Sequence, residues 1–449
     1  MKRITALAIA TMVSCAPVSD KETTSRAMSL VQSTPDVQMF AGSVPVPATR
    51  ANAEIAQDFI DLSFRLESGR TIPTLTRFEG PIGVRVAGEA TATLQPDLLS
   101  LLARLRTEAD IPITLTNADD ANIVIEAIPQ KTLQRAAPHA ACFVVPRVSS
   151  WAEYLNARRT DAVDWTTLTR RDKAAIFVPS DAAPQEIRDC LHEELAQALG
   201  PLNDLYRLPD SVFNDDNFQN VLTGFDMLIL RTYYAQELRN GMTRNEVAMR
   251  LPGLLARNNP NGELRIGALN PDTSRDWIKA IETALSSGND VTRRRNAAEH
   301  AIHLGRTFGW DGPRQGFAYY SYGRLQVGND PKRAIAAFNA AEAAYLSGPT
   351  TQIHAAHIAV QKAAFALASG DAQQTLILAE NAIPIAMAYQ NAALLATLMM
   401  FKAEALEMMG NVAAGEAVRL DSLGWARYGL GSDENVAAQL AEIAALRPF

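Results

Sequence analysis

The chain has 449 residues, which is enough for two or three domains, and 47% apolar with 20% charged residues is typical of a globular protein. This composition excludes a wholly disordered chain. The net charge is −7 and no long basic tract occurs, which argues against a nucleic-acid-binding protein.

The amino end predicts a targeting segment. Lys2-Arg3 is a short basic region, and Ile4–Val13 is a mostly apolar run that is too short to span a bilayer. Met12-Val13-Ser14-Cys15 resembles a bacterial lipobox, in which a small residue precedes the cysteine that receives the lipid. We therefore predict that residues 1–15 are a lipoprotein signal peptide, with an ordinary secretory signal as the alternative.

Acylation of Cys15 would make the lipid the only membrane attachment. Ala16 follows it, a choice that resembles outer-membrane sorting in Gram-negative cells. The expected location is the periplasmic side of the outer membrane. Residues 16–50, which are rich in Ser, Thr, Pro and Val, are expected to be a flexible tether.

Hydrophobic periodicity predicts a mixed domain over residues 51–262. A first helix is followed by one strand, a second helix and several more strands before a long helix begins. We expect helices at 52–66, 96–109, 186–199, 221–234 and 245–255, and strands at 81–86, 113–116, 123–128, 142–146 and 175–179. The insertion 149–171 is interpreted as a flap.

The long helix carries the most informative pattern, EIRDCLHEELAQALGPLND from Glu186 to Asp204. Its apolar residues form a stripe that predicts a core-facing side. Glu193, Glu194 and Gln197 fall along the edge of this stripe, and His192 falls on the other flank. Because burying an unpaired charge is costly, carboxylates at such a position suggest a cleft.

This helix resembles the active-site helix of zinc peptidases, H-E-x-x-H-x-x-G-x-x-H/D, without the histidines. In the frame that fits best, Glu194 is the general base, and Gly200 ends the helix in a left-handed conformation. The ligand positions then hold Glu193, Gln197 and either Asn203 or Asp204. A frame that starts at His192 places Ala196 at the second ligand position.

Gln is a poor zinc ligand, so a conventional zinc site is not expected, although Glu193 and Asp204 remain candidate metal ligands. Only His139 and His192 precede residue 300, which excludes a three-histidine site in this domain. The alternative interpretation is a scaffold helix with a satisfied polar edge.

The cysteine count predicts a disulfide. If Cys15 carries lipid, Cys142 and Cys190 remain as a pair in an oxidising compartment. We expect them to be bonded, with two buried thiols as the alternative.

An acidic segment follows the long helix. Asp210–Asp216 invites a calcium interpretation, but it lacks the spacing of an EF-hand loop, and turn capping is the favoured alternative. Met227, in the next apolar helix, could lie beneath the site as a zincin Met-turn does, or be an ordinary core residue.

Taken together, these motifs resemble a family of unknown function found in lipoproteins of Proteobacteria. The residues that carry the resemblance are Cys190–Glu194, Gln197, Leu199-Gly200, Asn203-Asp204 and Asp210–Asp215, and it spans roughly residues 55–260. It implies a zincin-like fold and a cell-envelope setting, and no activity.

The remaining chain, residues 275–449, predicts an all-α domain. Turn signals recur at Gly328, Gly370 and Gly410, which are 42 and 40 residues apart. This period indicates stacked helical hairpins similar to tetratricopeptide repeats, with a closed bundle as the alternative. The pairs His300/His303 and His354/His357 have a spacing that can hold a metal, with ordinary histidines of a helix surface or groove as the favoured alternative.

We therefore expect an α+β zincin-like domain followed by a helical-repeat domain. The favoured function is an envelope lipoprotein with a degenerate zincin-like domain whose repeats bind another protein or peptide. One alternative is an atypical metal-dependent hydrolase using Glu194. Another is a domain that binds a peptide without cutting it, through Glu194 and Gln197.

Overall fold

The computed structural model describes residues 37–42, 46–138, 140–267, 271–346 and 350–448. Contacts divide the chain into two compact units. The first, called the α/β domain below, comprises residues 44–182 and 186–272. The second, called the helical domain, comprises residues 273–449 with 183–185 and, among the described amino-terminal residues, 37–42. The signal peptide, Cys15, most of the tether and His139 lie outside the described residues.

The α/β domain alternates helices and strands up to residue 199 and is helical after it. Its elements are α1 (Asn52–Ser63), β1 (Ile82–Gly88), α2 (Leu94–Glu108), β2 (Ile113–Leu115), β3 (Ile123–Ile128), α3 (Gln130–Ala136), β4 (Phe143–Pro146), α4 (Trp151–Ala157), β5 (Ala174–Pro179), α5 (Pro184–Leu199), α6 (Gly224–Tyr233), α7 (Arg244–Asn258) and α8 (Pro260–Glu263). Two 3₁₀ turns, Asp161–Val163 and Trp165–Thr167, follow α4.

The strands form one five-stranded sheet in the order β2-β1-β3-β5-β4. The pairs β1–β2, β1–β3 and β3–β5 are parallel, and β4 runs antiparallel to β5 at one edge. Because most pairs are parallel and helices cover the sheet, the domain is α/β rather than the α+β expected from sequence. Val144 of β4 lies opposite Ile176 of β5.

Each face of the sheet contributes to a different core. Since side chains alternate along a strand, Val144 joins the large core with α1, α2, α5, α6 and α7, whereas Val145 joins a smaller one. In the smaller core Trp151 and Tyr154 of α4 pack on Phe177 with ring centroids 5.1 and 5.4 Å apart. The insertion predicted as a flap therefore covers one face of the sheet.

The helical domain consists, over its described residues, of α9 (Arg275–Leu285), α10 (Val291–Thr307), α11 (Pro313–Gln326), α12 (Pro331–Leu346), α13 (Gln352–Ala368), α14 (Ala372–Ala388), α15 (Ala392–Met408), α16 (Val412–Leu430) and α17 (Asp433–Ala444). Each helix packs on the next, and α9–α11, α13–α15 and α15–α17 also pack as second neighbours. The predicted succession of a mixed domain and an all-helical domain is confirmed. No described helix is both long and apolar enough to cross a membrane.

The predicted turns at Gly328, Gly370 and Gly410 each lie between two helices. Gly370 and Gly410 have φ of 81° and 86°, and Gln390 has the same left-handed backbone, at 54°, between α14 and α15. The three positions are therefore 20 residues apart, one helix and its turn each. At Gly410 the N–H bonds to the Glu407 carbonyl, and the next N–H bonds to Leu406, which closes the helix end.

We expect Gly410→Ala to destabilise the helical domain by about 1 kcal/mol, because an alanine Cβ clashes with the backbone in a left-handed conformation. Nothing lies within 4 Å of a Cβ built at this glycine, so the effect comes from the backbone alone. Gly253, inside α7, has equally open surroundings without a positive φ. Gly253→Ala should instead stabilise by about 0.5–1 kcal/mol. Chemical unfolding would measure both changes, and equal signs would contradict the argument.

Candidate functional site

Helix α5 carries the candidate residues. Two interactions fix its carboxyl end: the hydrogen bonds from Arg171, and the close packing of Gly200 against α6. Arg171 is buried and donates to the carbonyls of Gln197, Ala198 and Gly200 at 2.6, 2.7 and 2.5 Å. These carbonyls have no partner within the helix, and a cation is favourable at a helix carboxyl terminus. The guanidinium lies 4.9 Å from the Trp165 ring centroid.

Gly200 ends α5 for a reason other than the one predicted. It is not among the glycines with positive φ, so the expected left-handed cap is wrong. A Cβ at this position would lie 3.0 Å from the Tyr233 ring. The glycine is therefore required by the close approach of α6, and Arg171 takes over the capping.

Glu194 lies against the edge strand of the sheet. It is 2% exposed, and its carboxylate accepts a hydrogen bond from the backbone N–H of Val144 in β4. One turn earlier, Cys190 forms a disulfide with Cys142, just before β4. The predicted disulfide is thus present, and it ties β4 to the helix face that carries Glu194.

Further carboxyls surround Glu194 and are partly exposed. Burial, with the neighbouring carboxylates and Glu194 first among them, raises the pKa of Glu193 well above its usual value. Burial and then Glu67 and Asp215 raise the pKa of Asp204 in the same way. The carboxyls of Asp204 and Glu67 also share a hydrogen bond, which requires a proton on one of them. We call Glu67, Glu193, Glu194, Asp204 and Asp215 the carboxyl cluster.

The remaining predicted residues have structural contacts. Asn203 is buried and its side-chain amide donates to the Asp61 carbonyl at 3.0 Å, away from a ligand role. His192, on the other flank of α5, accepts from the Leu222 N–H at 3.0 Å. Burial lowers the pKa of His192 well below its usual value, so it is a neutral acceptor. Gln197 is buried, and Met227 belongs to the large core.

The site does not fit zinc. Zinc needs about four ligands, at least three from the protein. Among the described residues no three His, Cys, Asp or Glu side chains are arranged to hold a metal ion. Asn203, whose Nδ2 donates to the Asp61 carbonyl, and Gln197 both offer only neutral amides, which are poor zinc ligands.

The structure places the other candidate metal-binding residues in different surroundings. Asp210 pairs with Arg50 at 3.1 Å, and Asp216 accepts from Asn214 at 2.9 Å. These two carboxylates of the acidic segment thus take part in an ion pair and in a local turn contact. His300 and His303 are exposed on α10, whereas His354 and His357 are buried in α13, where the His354 ring lies 4.6 Å from Tyr345.

Sequence reasoning did not identify three residues of the site: Glu67, Asp215 and Arg171. Asp215 belongs to the acidic segment Asp210–Asp216, but its spacing in the sequence does not indicate a contact with α5. Glu67 lies just after α1, more than 120 residues before Glu193 in the chain, so only the fold brings the two together. Arg171 is the last residue of the insertion 149–171, and its sequence context does not predict that it caps α5.

The carboxyl cluster should make the protein less stable as the pH rises. Burial and then Glu67 raise the pKa of Glu194 from 4.5 to about 8. Between these values the folded protein retains a proton that the unfolded chain has lost, so stability decreases through this range. Glu194→Gln removes the titrating group and should flatten the decrease of the thermal midpoint between about pH 5 and 8. Parallel curves for the two proteins would contradict this.

The matched control for that measurement is Glu416→Gln. This variant removes an exposed carboxylate on a helix of the other domain and changes the net charge by the same amount. Its curve should follow that of the unaltered protein, because exposed carboxylates contribute little to the free energy of unfolding.

Comparison with known proteins supports one expectation from the sequence, the family resemblance of the α/β domain. No curated protein matches the chain significantly. Residues 52–253, which cover most of the α/β domain and end before α9, match a family described as "protein of unknown function (DUF2927)". The expected resemblance of this region to a family of unknown function is thereby confirmed.

Proposed function

We propose that the protein is a lipid-anchored envelope protein with a degenerate zincin-like domain. In this proposal the α/β domain binds an extended, basic peptide segment without cutting it, and the helical domain binds another protein through stacked helical repeats. The order of strands and helices before α5 and the carboxylates along its edge support the zincin-like interpretation.

The observation that carries the peptide proposal is the bond between Glu194 and the Val144 N–H. Within the part of the chain that the structure describes, strand β4 is at the edge of the sheet and pairs with β5 alone. In an antiparallel ladder the N–H and C=O of one residue point to the same side. Val144 therefore directs its C=O to the same side as the N–H that Glu194 accepts, at an edge where an added strand that replaces Glu194 at this N–H could pair.

The charge of the cluster indicates what kind of segment would bind there. Ionised carboxylates repel one another in a partly buried site, and the pKa values of Glu193 and Asp204 are raised first by burial and then by this repulsion. A Lys or Arg side chain would relieve it, since an opposite charge within a few ångströms favours the ionised form. An extended peptide with a basic side chain could therefore pair with β4 through its backbone and neutralise the carboxyl cluster through its charge.

A hydrolase is the second candidate, favoured by the pKa of about 8 for Glu194. At neutral pH such a group is mainly protonated, so it would donate a proton rather than act as the expected general base. A cation bound in the cluster would lower the pKa and restore the base. Buried groups with strongly shifted pKa values are common at active sites.

A positional-scanning library of synthetic hexapeptides tests the α/β domain. We expect enrichment of Lys or Arg at one position, and loss of that enrichment in Glu193→Gln and Asp204→Asn. Asp172→Asn, which removes an exposed carboxylate of the same domain, is the matched control and should keep it. Binding without any basic preference would refute the proposal.

The same library, incubated with and without added zinc, separates binding from hydrolysis. Mass spectrometry should detect no cleavage products if the domain only binds peptides. Cleavage that disappears in Glu194→Gln would overturn the binding proposal and support the hydrolase.

The packing of each helix on the next and of alternate helices on each other supports the repeat proposal, because stacked repeats contact their neighbours in this way. Photo-crosslinking in cells from Leu420, which is 44% exposed on α16, should give a discrete product with another envelope protein. Leu99 of α2, 47% exposed, is the matched control position. The absence of a product at all such helical-domain positions would contradict the proposal.

The anchor has a direct test. Cys15→Ser should abolish incorporation of labelled palmitate in Gram-negative cells and release the protein from the membrane fraction. Unchanged labelling would exclude Cys15 as the lipidated residue.

A further inference from the structure

The described amino-terminal segment Val37–Gly42 lies along α16 of the helical domain. Its Phe40 ring is 4.7 Å from the Trp425 ring and 6.3 Å, edge-on, from the Tyr428 ring. The backbone N–H of Gln38 donates to the Gly424 carbonyl at 3.1 Å. A segment predicted as part of a tether is thus in contact with a helix.

These contacts form a small recognition site on α16. We call Asp421, Gly424, Trp425 and Tyr428 the aromatic site. It offers two aromatic rings for one aromatic side chain, a backbone carbonyl for one N–H, and the Asp421 carboxylate 3.5 Å from the Gln38 amide. Aromatic pairs at such distances contribute beyond the area they bury.

The described segment lies at the surface of α16. It has no regular secondary structure, and Val37, Ala41 and Gly42 are exposed, whereas the half-buried Phe40 packs its ring against Trp425 and Tyr428. Because the segment is covalently attached, its effective concentration at the site is on the order of millimolar, and even a low intrinsic affinity keeps it bound. A separate chain with the same chemistry can therefore compete for the site.

We propose that the aromatic site is a peptide-binding site of the helical domain and that residues 37–42 occupy it as a built-in competitor. The partner that displaces them is an extended polypeptide segment with an aromatic side chain, two residues after a backbone N–H that bonds to Gly424. This inference rests on the proposed protein-binding function of the helical domain and adds the location and the chemistry of its ligand.

The test uses the full-length protein and a labelled ten-residue peptide with the sequence of residues 34–43, TPDVQMFAGS. Phe40→Ala removes the anchor of the attached segment and should bind the peptide at least about tenfold more tightly than the unaltered protein, because its site is free for a larger fraction of the time. The matched control is the same peptide with alanine in place of phenylalanine, which should not bind Phe40→Ala.

A second variant locates the binding. Phe40→Ala combined with Trp425→Ala should lose the peptide, with circular dichroism as the check that the helices remain folded. Equal binding by the unaltered protein and Phe40→Ala, no binding by Phe40→Ala, or binding of the alanine peptide would each overturn the inference. If the peptide binds as expected but Leu420 forms no crosslink in cells, the site exists and the proposed partner of the helical domain fails.

Discussion

Removing the Cys142–Cys190 disulfide should lower the free energy of unfolding of the α/β domain by about 4 kcal/mol. The bond closes a loop with a sequence separation of 48 residues, and a crosslink of this length restricts the unfolded chain considerably. That loop contains β4, α4 and β5, so the crosslink encloses the edge strand and one face of the sheet. The double variant Cys142→Ser/Cys190→Ser gives the change without residual thiol chemistry.

Hydrogen exchange of the full-length protein measures this loss domain by domain, which matters because two domains need not unfold together. The amides of β5 and α5 should exchange faster in the double variant, and those of α13 and α15 should not change. A reductant should reproduce the effect in the unaltered protein and have no effect on the double variant. Unaltered exchange at β5 would show that the loop entropy is not limiting.

The disulfide was predicted from the cysteine count, because an expected lipid on Cys15 and an expected oxidising compartment leave Cys142 and Cys190 as a pair. The turns at Gly370 and Gly410 were predictable for a related reason: glycine is the residue that adopts a left-handed backbone without strain. Gln390 occupies the equivalent position between them. Its turn was not predicted, because glutamine has no preference for a left-handed backbone. Local rules succeed where one residue type dominates a conformation.

In the candidate site, too, local features were predictable from the sequence and long-range contacts were not. Helical phase alone placed Glu194 at the edge of the buried stripe, and the structure buries it. Its partners come from elsewhere: the Val144 N–H from an edge strand, and Glu67 from the segment that follows α1. Contacts of this kind depend on the strand order, which a single sequence does not specify. The predicted row of carboxylates on one helix is therefore a cluster drawn from several segments.

Arg171→Met should destabilise the α/β domain by about 4 kcal/mol, the other large effect we expect. The guanidinium is buried and makes three hydrogen bonds to the carboxyl end of α5, and hydrogen bonds to a charged group contribute about 1.5–3 kcal/mol each. Methionine fills a similar volume without a donor, so the carbonyls of Gln197, Ala198 and Gly200 would remain buried and unsatisfied.

The neighbouring arginine supplies the control. Arg170 is exposed and pairs with Asp172, so Arg170→Met should leave the unfolding transition unchanged. Arg171→Lys should recover only part of the loss, because an ammonium group cannot reproduce the planar fork that reaches three carbonyls. Urea unfolding with hydrogen exchange at α5 measures all three variants. If Arg171→Met and Arg170→Met unfold alike, then α5 is held by its packing, and the orientation of Glu193 and Glu194 does not depend on this cap.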